Sequence, residues 1–291
     1  MPMNPRALMF VLLLASAALT GCASTGPDPE AMAKEMYSRE TLLSAADRAV
    51  QDNNLTRALG IYQELLRRNG SDRQALESAA MVSRDLQEYD LSAAYYEKML
   101  VLSPGETAFR EDLAEVNIKR QHFEDAETEL KRLTEAKQEN WRAWNGLGLI
   151  ADLRGNYAES EQYYAKAIQA NPANVDIHNN RGYSLIMAHR YAEAVGVLQD
   201  GLRLDTDNSR LHNNLLIALA WLGRYEEAVS AGRVSLDEWI AYNNVGYIAQ
   251  LKGDYEAAVR LYNAALSSSP RFYPTAAANR DAVMSLMKKR K

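Results

Sequence analysis

The chain has 291 residues, 47% of them hydrophobic, which is ample for a buried core, and a formal net charge of −5. That acidic balance, with no basic stripe before Lys288-Lys289-Arg290-Lys291, argues against a nucleic-acid partner. The single cysteine, Cys22, rules out an internal disulfide framework.

At the start of the chain Arg6 precedes an apolar run over residues 7–19, too short to cross a bilayer as a helix. A basic residue, a short apolar stretch and the small pair Thr20-Gly21 predict a secretory signal peptide over residues 1–21. The segment Leu19-Thr20-Gly21-Cys22 resembles the lipobox of bacterial lipoproteins. That resemblance implies cleavage before Cys22 and acylation of its thiol and new amine. Several acyl chains, at roughly 0.8 kcal/mol per buried CH₂, would make the anchoring effectively permanent. Ala23 is not the aspartate associated with inner-membrane retention. The same resemblance therefore implies an outer-membrane location facing the periplasm. Residues 22–38 have the small, Gly/Pro composition of a tether, beginning Cys22-Ala23-Ser24-Thr25-Gly26-Pro27.

From residue 39 the pattern repeats every 34 residues, and a fixed period of this length signals a stack of similar units. The copies are 39–72, 73–106, 107–140, 141–174, 175–208, 209–238 and 239–272, the sixth being four residues short. Each holds two runs of about fourteen residues with apolar positions at helical spacing, the pattern of an amphipathic helical hairpin. The twentieth position is always small: Ala58, Ser92, Ala126, Ser160, Ala194, Ala228 and Ala258. The seventeenth is large: Leu55, Tyr89, Phe123, Tyr157, Tyr191, Tyr225 and Tyr255. Small against large is what two closely crossing helices require. Pro104, Pro172 and Pro270 end second helices.

The sixth copy departs from this pattern. Leu216 stands at an eighth position that holds Ala or Gly in the others, and Gly232 stands where the others carry Tyr or Leu. Wider spacing between its helices, a shortened second helix near residues 226–236 and a local hinge are expected there. Residues 273–291 are expected to form a C-terminal capping helix with a basic tail. In the clearest copy, Trp144, Leu147, Gly148, Gly155, Tyr157, Ser160, Tyr164, Ala167 and Pro172 resemble the tetratricopeptide repeat motif. The resemblance implies an all-α, right-handed superhelical solenoid of about seven hairpins.

No residue combination supports catalysis, and no cofactor or metal is expected. His178 and His212 fall at a packed fourth position, while His122 and His189 lie in turns, with no zinc-ligand spacing among them. In tetratricopeptide proteins the first helices line a concave groove, at positions 2, 5, 6, 9, 12 and 13. Mapped here, that places Asn180, Asn214 and Asn244 at the sixth position, each preceded by Asn179, Asn213 or Asn243. Amide side chains donate and accept, so such a ladder suits the backbone of an extended peptide; the same amides could equally join one repeat to the next. Beside them stand Tyr183, Met187, Ile217, Trp221 and Tyr247, residue types that concentrate at binding hot spots. The earlier copies are more acidic, with Asp47, Glu77, Glu111, Asp112 and Glu115.

The lipobox, short tether and repeat array, with Asn243-Asn244-Val245-Gly246-Tyr247 followed by Lys252-Gly253-Asp254-Tyr255, resemble the tetratricopeptide lipoprotein of the tight-adherence (Flp) pilus machinery. Type IV pilus pilotins share this build. The resemblance implies a non-enzymatic scaffold with protein or peptide partners, such as a secretin or another pilus component. An adaptor that brings cell-wall hydrolases or proteases to the outer membrane is the alternative.

Overall fold

A computed structural model of the chain describes residues 38–289, which form fifteen helices and no strand. The expected signal peptide, Cys22, most of the tether, Arg290 and Lys291 lie outside the described residues.

The helices pair as hairpins: α1 (Arg39–Gln51) with α2 (Leu55–Arg68), α3 (Arg73–Asp85) with α4 (Tyr89–Leu102), and α5 (Thr107–Lys119) with α6 (Phe123–Ala136). Next come α7 (Trp141–Leu153) with α8 (Tyr157–Ala170), α9 (Val175–Met187) with α10 (Tyr191–Leu204), and α11 (Ser209–Trp221) with α12 (Tyr225–Gly232). The last pair is α13 (Glu238–Leu251) with α14 (Tyr255–Ser268), and α15 (Pro274–Lys289) packs on α14. Every helix packs on the one before and the one after it, so the core is a continuous seam along a solenoid.

Local chemistry sets the helix limits. Asp72, Asn140, Asn174 and Asn208 each accept the amide of the residue three further on, capping α3, α7, α9 and α11. The turn inside each hairpin passes through a left-handed residue at the fifteenth position of the repeat, from Asn53 and Gln87 through Gly155 and His189 to Gly253.

All seven small residues of the twentieth position are fully buried. A second contact, between positions 8 and 24, sets how closely the two helices of a hairpin approach. A Cβ built on Gly182 would stand 2.4 Å from Leu198 Cδ2, and one on Gly148 would stand 2.7 Å from Tyr164 Cε1. There is room only for hydrogen. In the sixth hairpin the sizes are exchanged: a Cβ on Gly232 would lie 2.3 Å from Leu216 Cδ1. Leu216 therefore occupies the space that Gly232 vacates, and the bulky eighth position does not force the helices apart. The shortened second helix is real, since α12 has 8 residues where α10 has 14.

Three of the four position-24 tyrosines also reach back to the first helix. The Tyr62 hydroxyl donates to Asp47 (2.9 Å), that of Tyr164 to Asp152 (2.9 Å) and that of Tyr262 to Gln250 (2.8 Å). Between hairpins, Arg39 grips Asp72 through Nε (2.6 Å) and Nη2 (2.9 Å), and Arg73 pairs with Glu106 one repeat later. The hydrogen bond from Arg39, with the Ala75 amide and the charge of Arg39 adding to it, holds the Asp72 carboxyl below its ordinary range although burial opposes this.

Among the described residues no helix is long and apolar enough to cross a membrane.

Candidate peptide groove

The first helices of hairpins three to seven, with α15, also touch one another directly, which lays α5, α7, α9, α11, α13 and α15 side by side. Their shared face holds a cavity of about 480 Å³ bordered by Glu111, Glu115, Arg142, Asn145, Leu149 and Asn180, among others. These are positions 2, 5, 6 and 9 of repeats three to five; of the residues nominated from the sequence for the groove, only Asn180 borders this cavity.

The asparagines divide into two kinds. Asn180 Nδ2 donates to Asn145 Oδ1 at 3.1 Å, and Asn214 Nδ2 donates to Asn179 Oδ1 at 2.9 Å. Each rung joins the fifth position of one repeat to the sixth of the next. Asn179 and Asn243 are buried, at 8% and 7% exposure, so they face neighbouring helices more than the groove. Asn243 accepts from Asn279 of α15 at 3.2 Å. This corrects the simple picture of six amides offered to a ligand, because position 5 turns into the seam between repeats.

The next rung, Asn213 to Asn244, is not made. With four residues missing from its repeat, Ser235 reaches Asn213, its Oγ donating to Oδ1 at 2.9 Å. Asn244 is left half-buried and, among the described residues, makes no side-chain hydrogen bond, so both its donor and its acceptor are available. A prediction separates the two kinds. Asn179→Ala breaks an inter-repeat bond and should lower stability by about 1–2 kcal/mol in urea titration. Asn244→Ala should leave the midpoint unchanged.

Tyr183 and Tyr247 are each 49% exposed, and Met187 is 43% exposed. Ile217 and Trp221 are only partly exposed and pack against the core. Trp221 stacks on Tyr191 with centroids 5.4 Å apart and planes 5° from parallel, while the Tyr191 hydroxyl lies 2.7 Å from His189 Nδ1. Trp221 is therefore a fixed wall and Tyr183, Met187 and Tyr247 are the open contacts. Sequence reasoning missed Leu153 and Leu251, at the thirteenth position like Met187, which are 56% and 54% exposed. Their register was the available signal.

Charge is arranged across the seam as well. Arg142 reaches back to three carboxylates of the preceding repeat: Glu111 (3.1 Å), Asp112 (2.5 Å) and Glu115 (3.7 Å). Arg210 pairs with Asp176. Nearby, the buried Tyr96 hydroxyl has no partner among the described residues; burial, then the charge of Asp112, pushes its pKa well above the ordinary tyrosine range.

His178 and His212 are structural. Their Nε2 atoms lie 3.0 Å from Pro172 O and 2.8 Å from Thr206 O, the same six-residue reach by which Trp144 Nε1 donates to Gln138 O at 2.7 Å. Among the described residues no group of three or more His, Cys, Asp or Glu side chains could hold a metal ion.

Tetratricopeptide repeat profiles match residues 43–107, 112–175, 153–212 and 240–272. The chain belongs to the tetratricopeptide repeat family, whose members act as protein-interaction scaffolds, and no catalytic family matches it. Among solved structures, a tetratricopeptide repeat protein from Parabacteroides merdae aligns at 16% identity and a TM-score of 0.57, over 84% of this chain and 98% of its own. The C-terminal part of a repeat protein from Cytophaga hutchinsonii gives 16% and 0.57, covering 80% and 97%. YrrB, described as having an unusual peptide-binding site, gives 19% and 0.50, covering 64% and 97%. At these identities the likeness concerns the fold alone. No curated protein sequence matches the chain.

Proposed function

We propose that this chain is a membrane-anchored, non-enzymatic scaffold that holds a protein partner in its groove and assists assembly of a pilus or secretion machine at the outer membrane. The observation that carries the binding role is the set of exposed Leu153, Tyr183, Met187, Tyr247 and Leu251 on α7, α9 and α13, with the partly exposed Ile217 and Trp221 of α11 between them and the open amide of Asn244 beside them. Monomeric proteins seldom leave such an apolar run uncovered without a partner for it. The anchoring role rests on the lipobox resemblance at Cys22, and the pilus role on the resemblance of the whole array.

Cys22→Ser should move the protein from the membrane fraction to the soluble fraction while circular dichroism stays helical. Unchanged membrane association would remove the lipid anchor from the account. A photo-crosslinker at position 183 or 247, activated in native membranes, tests the partner. Capture of a secretin or pilus component supports the pilus reading, and capture of cell-wall hydrolases or proteases replaces it with the adaptor reading.

A further inference from the structure

The inner face changes character halfway along. At the six groove positions, repeats 1–3 carry seven carboxylates, Glu77, Asp112 and Glu115 among them, against only Arg84 and Lys119. Repeats 4–7 carry two carboxylates and two guanidinium groups at the same positions, and all four are engaged. Asp152 accepts from Tyr164 and Ser184, Asp176 pairs with Arg210, and Arg142 turns to the acids of repeat 3. The groove positions of repeats 4–7 are thus neutral overall, while those of repeats 1–3 keep a net negative charge after Arg84, Lys119 and Arg142 are counted.

Arg142 marks the boundary and offsets only part of that charge. Glu77 is exposed and has no ion-pair partner among the described residues, and the Glu115 side chain remains 49% exposed. The hydroxyl of Tyr96, 1% exposed and without a hydrogen-bond partner among the described residues, is buried with Asp112, Glu115 and Glu77 on one side of the charge balance and Arg84 on the other. One guanidinium shared by Glu111, Asp112 and Glu115 leaves a net negative charge beside the unpaired Glu77, and a cationic side chain laid there would offset it.

Resting on the binding role proposed above, we infer that the groove takes one extended protein segment of two-part chemistry. Apolar or aromatic side chains sit along Tyr183, Met187 and Tyr247, the main chain bonds to Asn244, and lysine or arginine side chains lie against Glu77 and Glu115. Successive first helices spaced by about 10 Å make the path from repeat 2 to repeat 7 about 50 Å long. An extended chain at about 3.3 Å per residue covers that with about 15 residues.

The test is fluorescence anisotropy with the full chain and labelled peptides of about 15 residues. One peptide has a leucine- and phenylalanine-rich end and a lysine-rich end, made in both orders. A second has the same composition intermixed, and a third is apolar and serine-rich without lysine. The two-part peptide in one order should bind at least about tenfold tighter than the intermixed one and weaken as salt rises. Glu77→Gln with Glu115→Gln should abolish that advantage and leave the apolar peptide unaffected, whereas Tyr183→Ala with Tyr247→Ala should weaken both. Equal binding of two-part and intermixed peptides, or no effect of the glutamine pair in a variant with unchanged circular dichroism, overturns the two-part groove and leaves a general binding role standing. Failure of every peptide to bind, the apolar one included, overturns the binding role and this inference with it.

Discussion

Gly232→Leu is expected to destabilise the sixth hairpin by about 3 kcal/mol, because its first side-chain carbon would already stand 2.3 Å from Leu216 Cδ1. Leu216→Gly alone should cost about 4 kcal/mol, since a leucine 3% exposed is removed opposite a glycine and nothing fills the space. Together the two changes restore the arrangement of the fifth hairpin, Gly182 against Leu198, and most of both losses should be recovered. Urea unfolding combined with hydrogen exchange of the amides of residues 209–238 measures this locally, as a stacked-repeat protein need not unfold as one unit. Additive losses in the double variant would show that volume exchange is not what holds this hairpin.

Asp152→Ala should cost about 3 kcal/mol, more than any single surface ion pair here. One oxygen of Asp152 accepts from the Tyr164 hydroxyl at 2.9 Å and the other from Ser184 Oγ at 2.6 Å. Ser184 Oγ in turn lies 2.8 Å from Ser160 Oγ, both fully or nearly fully buried. One carboxylate therefore ties α7 to α8 within its hairpin and to α9 of the next. Removing it leaves the Tyr164 hydroxyl without its acceptor and Ser184 with only Ser160, whereas Tyr164→Phe removes a single donor and should cost about 1 kcal/mol. A double-mutant cycle on Asp152 and Tyr164 reads the coupling directly; a coupling near zero would mean that the network adds nothing beyond its packing.

Much of the fold was legible because the contacts that define a hairpin are short in sequence. Position 8 meets position 24 sixteen residues later, so Gly148 with Tyr164 and Gly182 with Leu198 appear as paired small and large letters inside one 34-residue copy. The sixth copy showed the same pair reversed. Each residue taken singly suggested loose packing; only the distance between Leu216 and Gly232 showed that one compensates the other. The shortening of α12 was visible as four absent residues, and its effect on the groove was not.

The candidate groove was legible as a face and illegible as a set of bonds. Register alone put Tyr183, Met187 and Tyr247 on one surface, and it would have added Leu153 and Leu251 had the thirteenth position been followed through every copy. Asn179, Asn180, Asn213, Asn214, Asn243 and Asn244 look alike in the sequence, two per repeat.

By itself, then, the sequence determined the repeat, the hairpin and the faces, because these follow from helical periodicity and from side-chain sizes within a few turns. Only the tertiary structure decided which amides remain for a ligand. Their partners lie 35 residues away on a neighbouring helix, as Asn179 does from Asn214, and whether two such side chains meet depends on how one hairpin sits against the next. Where the short sixth copy changes that fit, Ser235 takes Asn213 and Asn244 is left open to the groove.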